Sequence, residues 1–292
     1  MIDLDFFPSV NLIVSNACRM RCSFCCAETD KYKKSDVDIK KLFKIIDILH
    51  ENGTQRICFS GGEPLLNTHL NELLAYTYNY NIINTIMSSD GKAILNSNFD
   101  PKYIDTFWIS VHGIGNLHDN ITNINGSFAD IEKALENIRV EYPFAIWSVI
   151  TPQNRHNIDK LVEWCLKYNM KRLYLSNING TGKGKNFISK YNRIPDEEFE
   201  KMINDYQKKY ADKIAISGQK FSKNAQCTLV YSDGSVYITP YDNEEDQLLV
   251  GNILLENPNE VFLRIKKDKS LWNDYTYRYK DSSINITKKE KT

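Results

Sequence analysis

The sequence predicts an α/β fold, a partial (β/α)6 barrel of parallel strands followed by a small C-terminal extension with a helix and a hairpin. Two observations indicate this fold. Short apolar runs alternate along the chain with longer stretches in which apolar residues recur at helical spacing, and glycine or polar residues separate them. Repeated strand–helix units form a parallel sheet with right-handed crossovers, so functional residues are expected at the carboxyl ends of the strands.

The predicted elements follow one another in regular order. The six predicted strands cover residues 10–14, 56–59, 84–87, 106–111, 145–150 and 172–175. The predicted helices between them cover residues 36–52, 66–80, 128–139 and 158–168. In the first helix Leu42, Ile45 and Leu49 share one face, and Gly53 follows its end. Ser127 is a candidate N-cap for the helix that follows it.

The pattern changes after the sixth strand. A stretch rich in glycine and lysine at 179–186 predicts a solvated loop, and 195–210 predicts a helix with proline in its first turn. Residues 227–239 predict a hairpin with Asp233 and Gly234 at its turn. The expected parts of the chain are a barrel over 8–185, an extension over 186–279 and a disordered tail over 280–292.

The composition predicts a cytoplasmic protein without a membrane partner, and it does not favour nucleic acid as a partner. Lys and Arg together number 37, as do Asp and Glu, so the net charge gives no general attraction to polyanions. No run of about 18 apolar residues indicates a membrane span, and the N-terminus lacks the basic start of a signal peptide.

Four of the seven cysteines lie close together near the N-terminus. Cys18, Cys22 and Cys25 form a C-x3-C-x2-C motif, whose three thiolates can bind three irons of a [4Fe–4S] cubane and leave the fourth iron open. The alternative is a structural zinc ion, for which Cys26 would supply the fourth thiolate of a closed tetrahedral set. Clustered cysteines in a cytosolic chain indicate metal binding rather than a disulfide framework.

A second motif, Gly61-Gly62-Glu63-Pro64, which we call the GGEP segment, directly follows the second predicted strand. Its glycines allow the backbone to approach a ligand closely, and the carboxylate of Glu63 can accept hydrogen bonds from an ammonium group. A tetrapeptide of this kind alone indicates only a turn. Its position behind a C-x3-C-x2-C motif that follows the first strand makes the combination specific.

The two motifs together resemble those of the radical S-adenosylmethionine (SAM) superfamily. Phe24 matches an aromatic position of that family, and the resemblance implies that it contacts the cofactor. The resemblance implies one [4Fe–4S] cluster held by Cys18, Cys22 and Cys25, with SAM at its open iron and the GGEP segment against the SAM amino group. It also implies a flavodoxin- or ferredoxin-type electron donor. Cleavage of SAM then gives a 5′-deoxyadenosyl radical that takes a hydrogen atom from substrate.

Residues at the ends of later strands are further candidates for SAM contacts by the same resemblance. They are Ser89 after the third strand, Ser110 and Ser148 at the fourth and fifth, and Leu175 at the sixth, where adenine is expected. Each also fits an ordinary residue at a strand end, so both interpretations remain open.

The C-terminal hairpin resembles the SPASM extension of peptide-modifying family members. A cysteine that the extension carries beyond its hairpin is here replaced by Pro240 and Tyr241, so the resemblance implies a degenerate extension without an auxiliary cluster. Cys227 is either a small buried core residue or a catalytic thiol that gives a hydrogen atom to a substrate radical.

The substrate remains open between two classes of radical SAM enzyme. One class acts on a peptide, by epimerisation or cross-linking, and the other acts on a small molecule such as a nucleotide or a sugar. A zinc-stabilised binding module without catalysis is an alternative of another kind. It explains the cysteines but neither the GGEP segment nor the repeated strand–helix units.

Overall fold

The computed structural model describes residues 9–27, 37–97, 99–138, 143–219, 226–240 and 248–267. The strands in these residues are β1 (Ser9–Ser15), β2 (Arg56–Gly61), β3 (Ile83–Ser88), β4 (Thr106–Ser110), β5 (Phe144–Val149), β6 (Arg172–Ser176), β7 (Ala215–Gln219), β8 (Gln226–Tyr231), β9 (Ser235–Pro240) and β10 (Leu248–Asn252). The α-helices are α1 (Ile39–Glu51), α2 (Leu70–Asn79), α3 (Gly91–Asn96), α4 (Asn116–Thr122), α5 (Ser127–Asn137), α6 (Ile158–Lys167), α7 (Lys183–Tyr191), α8 (Asp196–Lys209) and α9 (Pro258–Lys267).

All ten strands belong to one sheet. Strands β1 to β7 lie side by side in chain order and are parallel to one another. Strand β8 lies on the other side of β1, parallel to it, and β9 and β10 continue the sheet in antiparallel order. The predicted α/β fold with a parallel sheet is confirmed, and the sheet is wider than the six predicted parallel strands.

Strand β7 was missed because its sequence carries almost no strand signal. Among its first four residues only Ile216 is a buried apolar residue, Ala215 is exposed, and Gly218 weakens the pattern further. This segment is therefore a strand because it pairs with β6 through five residues, and its composition alone does not predict one.

Helices cover one face of the sheet, which we call the outer face. Its side chains, such as Leu12, Phe59 and Phe107, are fully buried in one core with helix residues that include Leu42 and Val162. Each such side chain contributes roughly 1.5–3 kcal/mol by leaving water. The positions that alternate with these form the opposite, inner face of the partial barrel. Its members include Asn11, Arg56, Cys58, Ser60, Met87, Trp108, Ser110, Trp147, Val149, Arg172, Tyr174, Ser176 and Cys227.

Several local predictions need correction. The short helices α3 and α4 were not predicted, and α7 begins at Lys183, inside the stretch predicted as a solvated loop. Ser127 is the first residue of α5 rather than its N-cap, which is Gly126. The carboxylate of Asp119 replaces a capping side chain, because it accepts hydrogen bonds from the amides of Gly126 and Phe128 at 2.6 and 2.9 Å.

The C-terminal part of the chain joins the barrel sheet. The expected boundary at residue 185 falls inside α7, and β7 extends the parallel sheet beyond it. The predicted hairpin is present as β8 and β9, and β8 pairs directly with β1. The tail expected to be disordered lies outside the described residues. Across the described ranges, no helix combines the length and apolar character needed to cross a membrane.

Candidate active site

The cysteine loop, residues 16–27, begins where β1 ends, at the carboxyl edge of the parallel strands. Cys18 is buried, Cys22 and Cys25 are half-buried, and Cys26 is exposed. Burial raises the pKa of the Cys18 thiol to about 12. A thiolate at this position therefore needs a nearby positive charge, which a bound iron atom would supply.

The GGEP segment holds the start of the cysteine loop through two backbone hydrogen bonds. The amide of Gly62 donates to the carbonyl of Ser15 at 2.7 Å, and the amide of Glu63 donates to the carbonyl of Ala17 at 2.8 Å. A Cβ atom at Gly61 would overlap the Ser15 carbonyl oxygen, and one at Gly62 would overlap that of Ala17. The glycines are thus required by the approach of two backbones, a reason that the sequence analysis did not foresee.

The buried carboxylate of Glu63 joins the GGEP segment to the end of β3. One carboxylate oxygen accepts a hydrogen bond from the amide of Leu65 at 3.2 Å, and the other accepts one from the amide of Ser89 at 2.9 Å. Burial raises the pKa of Glu63 to about 7, because desolvation disfavours the charged form more than these bonds favour it. The carboxylate oxygens retain lone pairs that could accept from an ammonium group.

An ion pair fixes the cysteine loop to the same strand end. The guanidinium of Arg19 donates two hydrogen bonds to the carboxylate of Asp90, which is 1% exposed. The same carboxylate accepts from the amides of Lys92 and Ala93 at the start of α3. Sequence reasoning missed this pair. Asp90 follows the third strand and Arg19 lies inside the cysteine motif, but the residues are 71 positions apart and nothing local relates them.

Helices α4 and α7 hold the opposite side of the cysteine loop. The amide of Arg21 donates to the carbonyl of Thr122 at 2.8 Å, and the side chain of Asn123 donates to the carbonyl of Arg21 at 2.9 Å. The amide of Lys183 donates to the carbonyl of Cys25 at 2.9 Å. The stretch predicted as a solvated loop therefore packs against the cysteines, and the loop is held on several sides by protein alone.

Phe24 anchors the cysteine loop in a small apolar core. This core also contains Ile121, Ile178 and Phe187, and it is separate from the large core beneath the outer face. The ring of Phe24 meets that of His112 edge to face, with centroids 5.1 Å apart. The side chain is thus buried by protein, and its predicted contact with SAM stays a prediction.

Two neutral histidines, His112 and His118, stack behind Phe24 with ring centroids 5.8 Å apart. The Nδ1 atom of His112 accepts from the amide of Val149 at 3.2 Å, and that of His118 accepts from the amide of His112 at 3.1 Å. Burial lowers the pKa of His112 to about 3 and that of His118 to about 4. Both rings are therefore neutral at pH 7, with the proton on Nε2.

Two of the four strand-end candidates lie on the side of the site. The hydroxyl of Ser89 is 3.5 Å from the carboxylate of Glu63, and Ser110 is half-buried on the inner face beside Trp147. Both can therefore reach a ligand bound between the GGEP segment and the inner face.

The other two candidates do not reach the site. Ser148 and Leu175 pair with each other in the register of β5 and β6 and lie on the outer face, where both are completely buried. Side chains alternate along a strand, so Val149 and Ser176 occupy the inner positions instead. The proposed cofactor contacts therefore exclude Ser148 and Leu175.

Cys227, on β8, belongs to the inner face. The side-chain amide of Asn11 on β1 donates a hydrogen bond to its sulfur, and the thiol is half-buried. The half-buried thiol of Cys227 does not fit the alternative of a fully buried core cysteine. Cys165 on α6 is a cysteine of that buried kind.

In the part of the chain that the structure describes, no three His, Cys, Asp or Glu side chains converge as ligands of one metal ion. The thiolates that hold a cubane each bind a different iron, so a cluster does not require them to meet at one point. Cys18, Cys22 and Cys25 are the residues that could hold a cluster.

Comparison with known proteins decides the family. The family model described as the Radical SAM superfamily matches residues 12–165, a range that covers more than half of the chain and includes the cysteine loop and the GGEP segment. The chain belongs to the radical SAM superfamily. This radical SAM enzyme therefore uses a [4Fe–4S] cluster and SAM, the cofactors of its family.

Similar proteins act on different substrates. A probable GTP 3′,8-cyclase of Sulfurisphaera tokodaii is 22% identical over 216 residues, which cover 73% of this chain and 67% of that protein. The sporulation killing factor maturation protein SkfB of Bacillus subtilis is 22% identical over 273 residues, covering 87% of this chain and 64% of that protein. SuiB of Streptococcus suis, solved with its precursor peptide SuiA, matches with a TM-score of 0.64 at 16% identity, covering 92% of this chain and 67% of that chain. The radical SAM enzyme thus spans about two thirds of the length of these relatives.

We expect Gly62→Ala to displace the cysteine loop, because the new methyl group overlaps the Ala17 carbonyl. Overpacking of this kind costs about 1–3 kcal/mol. The measurements are urea unfolding of the protein without its cluster and iron content after anaerobic reconstitution, and both should fall. Gly126→Ala is the control, because its Cβ meets no atom within 4 Å and only its positive φ of 78° causes strain. Iron binding by Gly62→Ala at the wild-type level would contradict the argument.

The histidine pair predicts a stability that falls on acidification. The pKa of each ring is lower in the folded chain than the ordinary value near 6.5, so the unfolded chain binds more protons below that pH. The free energy of unfolding is then highest above pH 6.5 and decreases as the pH falls toward 4. At pH 5 the decrease is about 2 kcal/mol for each ring.

His118→Gln should therefore remove about half of the stability difference that the pair causes between pH 7 and pH 5. The measurement is urea unfolding of the protein at the two pH values. His156→Gln, which changes an exposed ring, is the matched control and should leave the difference unchanged. If His118→Gln kept the full stability difference between pH 7 and pH 5, this would show that burial does not hold the His118 ring neutral.

Proposed function

We propose that the protein takes a hydrogen atom from a peptide substrate that lies along the inner face of the barrel. The observation that carries the catalytic part of this proposal is the seating of the cysteine loop on the GGEP segment at the carboxyl end of the strands. This arrangement places the three cysteines next to a backbone edge on which SAM can bind, at the carboxyl end of the parallel strands, where the ligands of such sheets bind.

In this proposal Cys18, Cys22 and Cys25 bind the cluster, and the GGEP segment, Ser89 and Ser110 orient SAM. When bound, the cluster supplies the electron that cleaves SAM to methionine and a 5′-deoxyadenosyl radical. The protein's own part is to hold the cysteine loop still and to keep water from the reacting atoms. We propose a flavodoxin- or ferredoxin-type protein as the electron donor.

A peptide substrate is supported by the share of the chain that the peptide-related proteins match. SkfB, a maturation protein, and SuiB, solved with a precursor peptide, cover 87% and 92% of this chain, whereas the probable GTP 3′,8-cyclase covers 73%. Matches of that extent include the C-terminal hairpin, which here forms a wall of the inner face beside β1. We therefore assign the hairpin to the substrate side, as a degenerate SPASM-like extension.

A nucleotide is the second candidate substrate. The similarity to a probable GTP 3′,8-cyclase favours it. The inner face also carries aromatic side chains, Trp108, Trp147 and Tyr174, on which a base could stack.

The catalytic proposal predicts that the reconstituted and reduced protein cleaves SAM. The measurement is the amount of 5′-deoxyadenosine formed under anaerobic conditions, quantified by chromatography. Cys22→Ala should form none, because a cubane that lacks one of its three ligands is not held. Cys165→Ala, which changes a cysteine buried on α6, is the matched control and should retain the activity. A protein that binds zinc, shows no cluster absorbance and forms no nucleoside would contradict the proposal.

Cys227 lies on the inner face, and this position predicts a catalytic role for its thiol that differs from the cluster binding proposed for Cys18, Cys22 and Cys25. If this thiol returns a hydrogen atom to a substrate radical, Cys227→Ala should still form 5′-deoxyadenosine but should lose the modified product. The measurement, made with a peptide that stimulates SAM cleavage, is product mass and deuterium content after reaction in heavy water. Cys58→Ala on the neighbouring β2 is the control. Undiminished product from Cys227→Ala would end this assignment.

A further inference from the structure

The amino end of α7 is seated on the cysteine loop. The amide of Lys183, the first residue of α7, donates a hydrogen bond to the carbonyl of Cys25 at 2.9 Å. A Cβ atom at Gly182, which precedes it, would lie 2.7 Å from the carbonyl oxygen of Cys26 and 2.8 Å from that of Cys25. The backbone of Lys183 is therefore held directly against the loop that contains the C-x3-C-x2-C motif.

The side chain of Lys183 places a positive charge beside the same cysteines. Burial raises the pKa of the Cys22 thiol and the two other cysteines of the motif raise it further, whereas the ammonium of Lys183 lowers it. The ammonium therefore lies close enough to the Cys22 sulfur for their charges to interact. The side chain is half-buried, so solvent and salt screen its charge less than that of an exposed lysine.

The charged groups around the cysteine loop have different signs on its two sides. On the side of β3, the negative charges of Glu63 and Asp90 add to the effect of burial and raise the pKa of Cys18. The ion pair with Arg19 offsets part of the Asp90 charge. On the side of α7, Lys183 forms no ion pair with any carboxylate of the described residues. A group bound by the cysteines therefore has carboxylates on one side and an ammonium on the other.

The charge of a bound cluster determines the effect of this ammonium. A [4Fe–4S] cubane held by three thiolates is anionic, and its one-electron reduction adds a further negative charge. Because the Coulomb energy is proportional to the charge, a nearby positive charge stabilises the reduced form more than the oxidised form. An ammonium beside the cysteines therefore raises the reduction potential of the cluster that they hold.

We propose that the ammonium of Lys183 raises the reduction potential of the cluster bound by the three cysteines and so favours electron uptake from the flavodoxin- or ferredoxin-type donor. This inference rests on the proposed function and assigns Lys183 to the electron-transfer step of the same site. One electron passes from the donor to the cluster and then to SAM, so the step needs no other reductant. Lys183 acts through its charge, and its backbone amide holds the carbonyl of Cys25.

The experiment is a redox titration of the full chain after anaerobic reconstitution, in which electron paramagnetic resonance measures the amount of reduced cluster. Lys183→Gln removes the charge and leaves the backbone amide that bonds to Cys25. We expect this variant to shift the equilibrium between the oxidised and the reduced cluster about tenfold toward the oxidised form. For a one-electron couple this shift lowers the reduction potential by about 59 mV. The iron content of the same samples should equal that of the wild type.

Two further variants separate the charge of Lys183 from other effects. Lys183→Arg keeps a positive charge at the start of α7 and should restore most of the wild-type reduction potential. Lys190→Gln removes the same charge from an exposed residue near the other end of α7, about 10 Å away along the helix axis. Because solvent and salt screen a charge at that distance, Lys190→Gln should leave the reduction potential unchanged.

The outcomes test this inference apart from the proposed function. A lower reduction potential in Lys183→Gln alone supports the inference, and so does loss of iron from Lys183→Gln but not from Lys183→Arg. A wild-type reduction potential in Lys183→Gln overturns it, as does an equal shift in Lys190→Gln or loss of iron from both variants of Lys183. If the wild type still cleaves SAM, those results leave the proposed function intact, whereas a wild type that binds no cluster contradicts the proposed function itself.

Discussion

The contact between the GGEP segment and the entry of the cysteine loop is the constraint on which the rest of the site depends. Two backbones approach so closely that a side chain on Gly61 or Gly62 would overlap a carbonyl oxygen. Two hydrogen bonds of 2.7 and 2.8 Å join them. The buried Glu63 carboxylate carries this contact on to β3, and the ion pair of Arg19 with Asp90 reinforces it. Protein contacts thus hold the loop on the GGEP segment and on the end of β3.

Sequence patterns predicted the parts of this arrangement that depend on local order. Strand periodicity located β1 to β6, and the spacing of Cys18, Cys22 and Cys25 identified the loop. The pairing of Arg19 with Asp90 could not be predicted, because the two residues meet only through the fold. Ser148 and Leu175 were misplaced for another reason. A shift of one residue along a strand exchanges the faces of the sheet, and a residue near a strand end does not reveal its face.

The outer face of the sheet contributes mainly to stability, and the proposed function belongs to the inner face. Outer-face residues such as Phe59 and Phe107 are fully buried and contribute hydrophobic free energy, whereas inner-face residues such as Trp147 and Arg172 stay partly exposed and polar or aromatic. The outer core extends from Val10 on β1 to Ile265 on α9, so both parts of the chain share one apolar cluster.

The position of β1 explains how the two ends of the chain meet at one site. Strand β1 is paired on one side with β2 and on the other with β8, so the cysteine loop at its end lies between the parallel barrel and the C-terminal hairpin. Asn11 in the middle of β1 donates a hydrogen bond to Cys227 on β8 and pairs in register with Cys58 on β2. A substrate that reaches the cofactor along this part of the inner face therefore contacts both parts of the chain. The hydrogen bonds described for the cysteine loop come from the GGEP segment, the end of β3, α4 and α7, so changes in the hairpin can alter which substrate fits while these bonds remain.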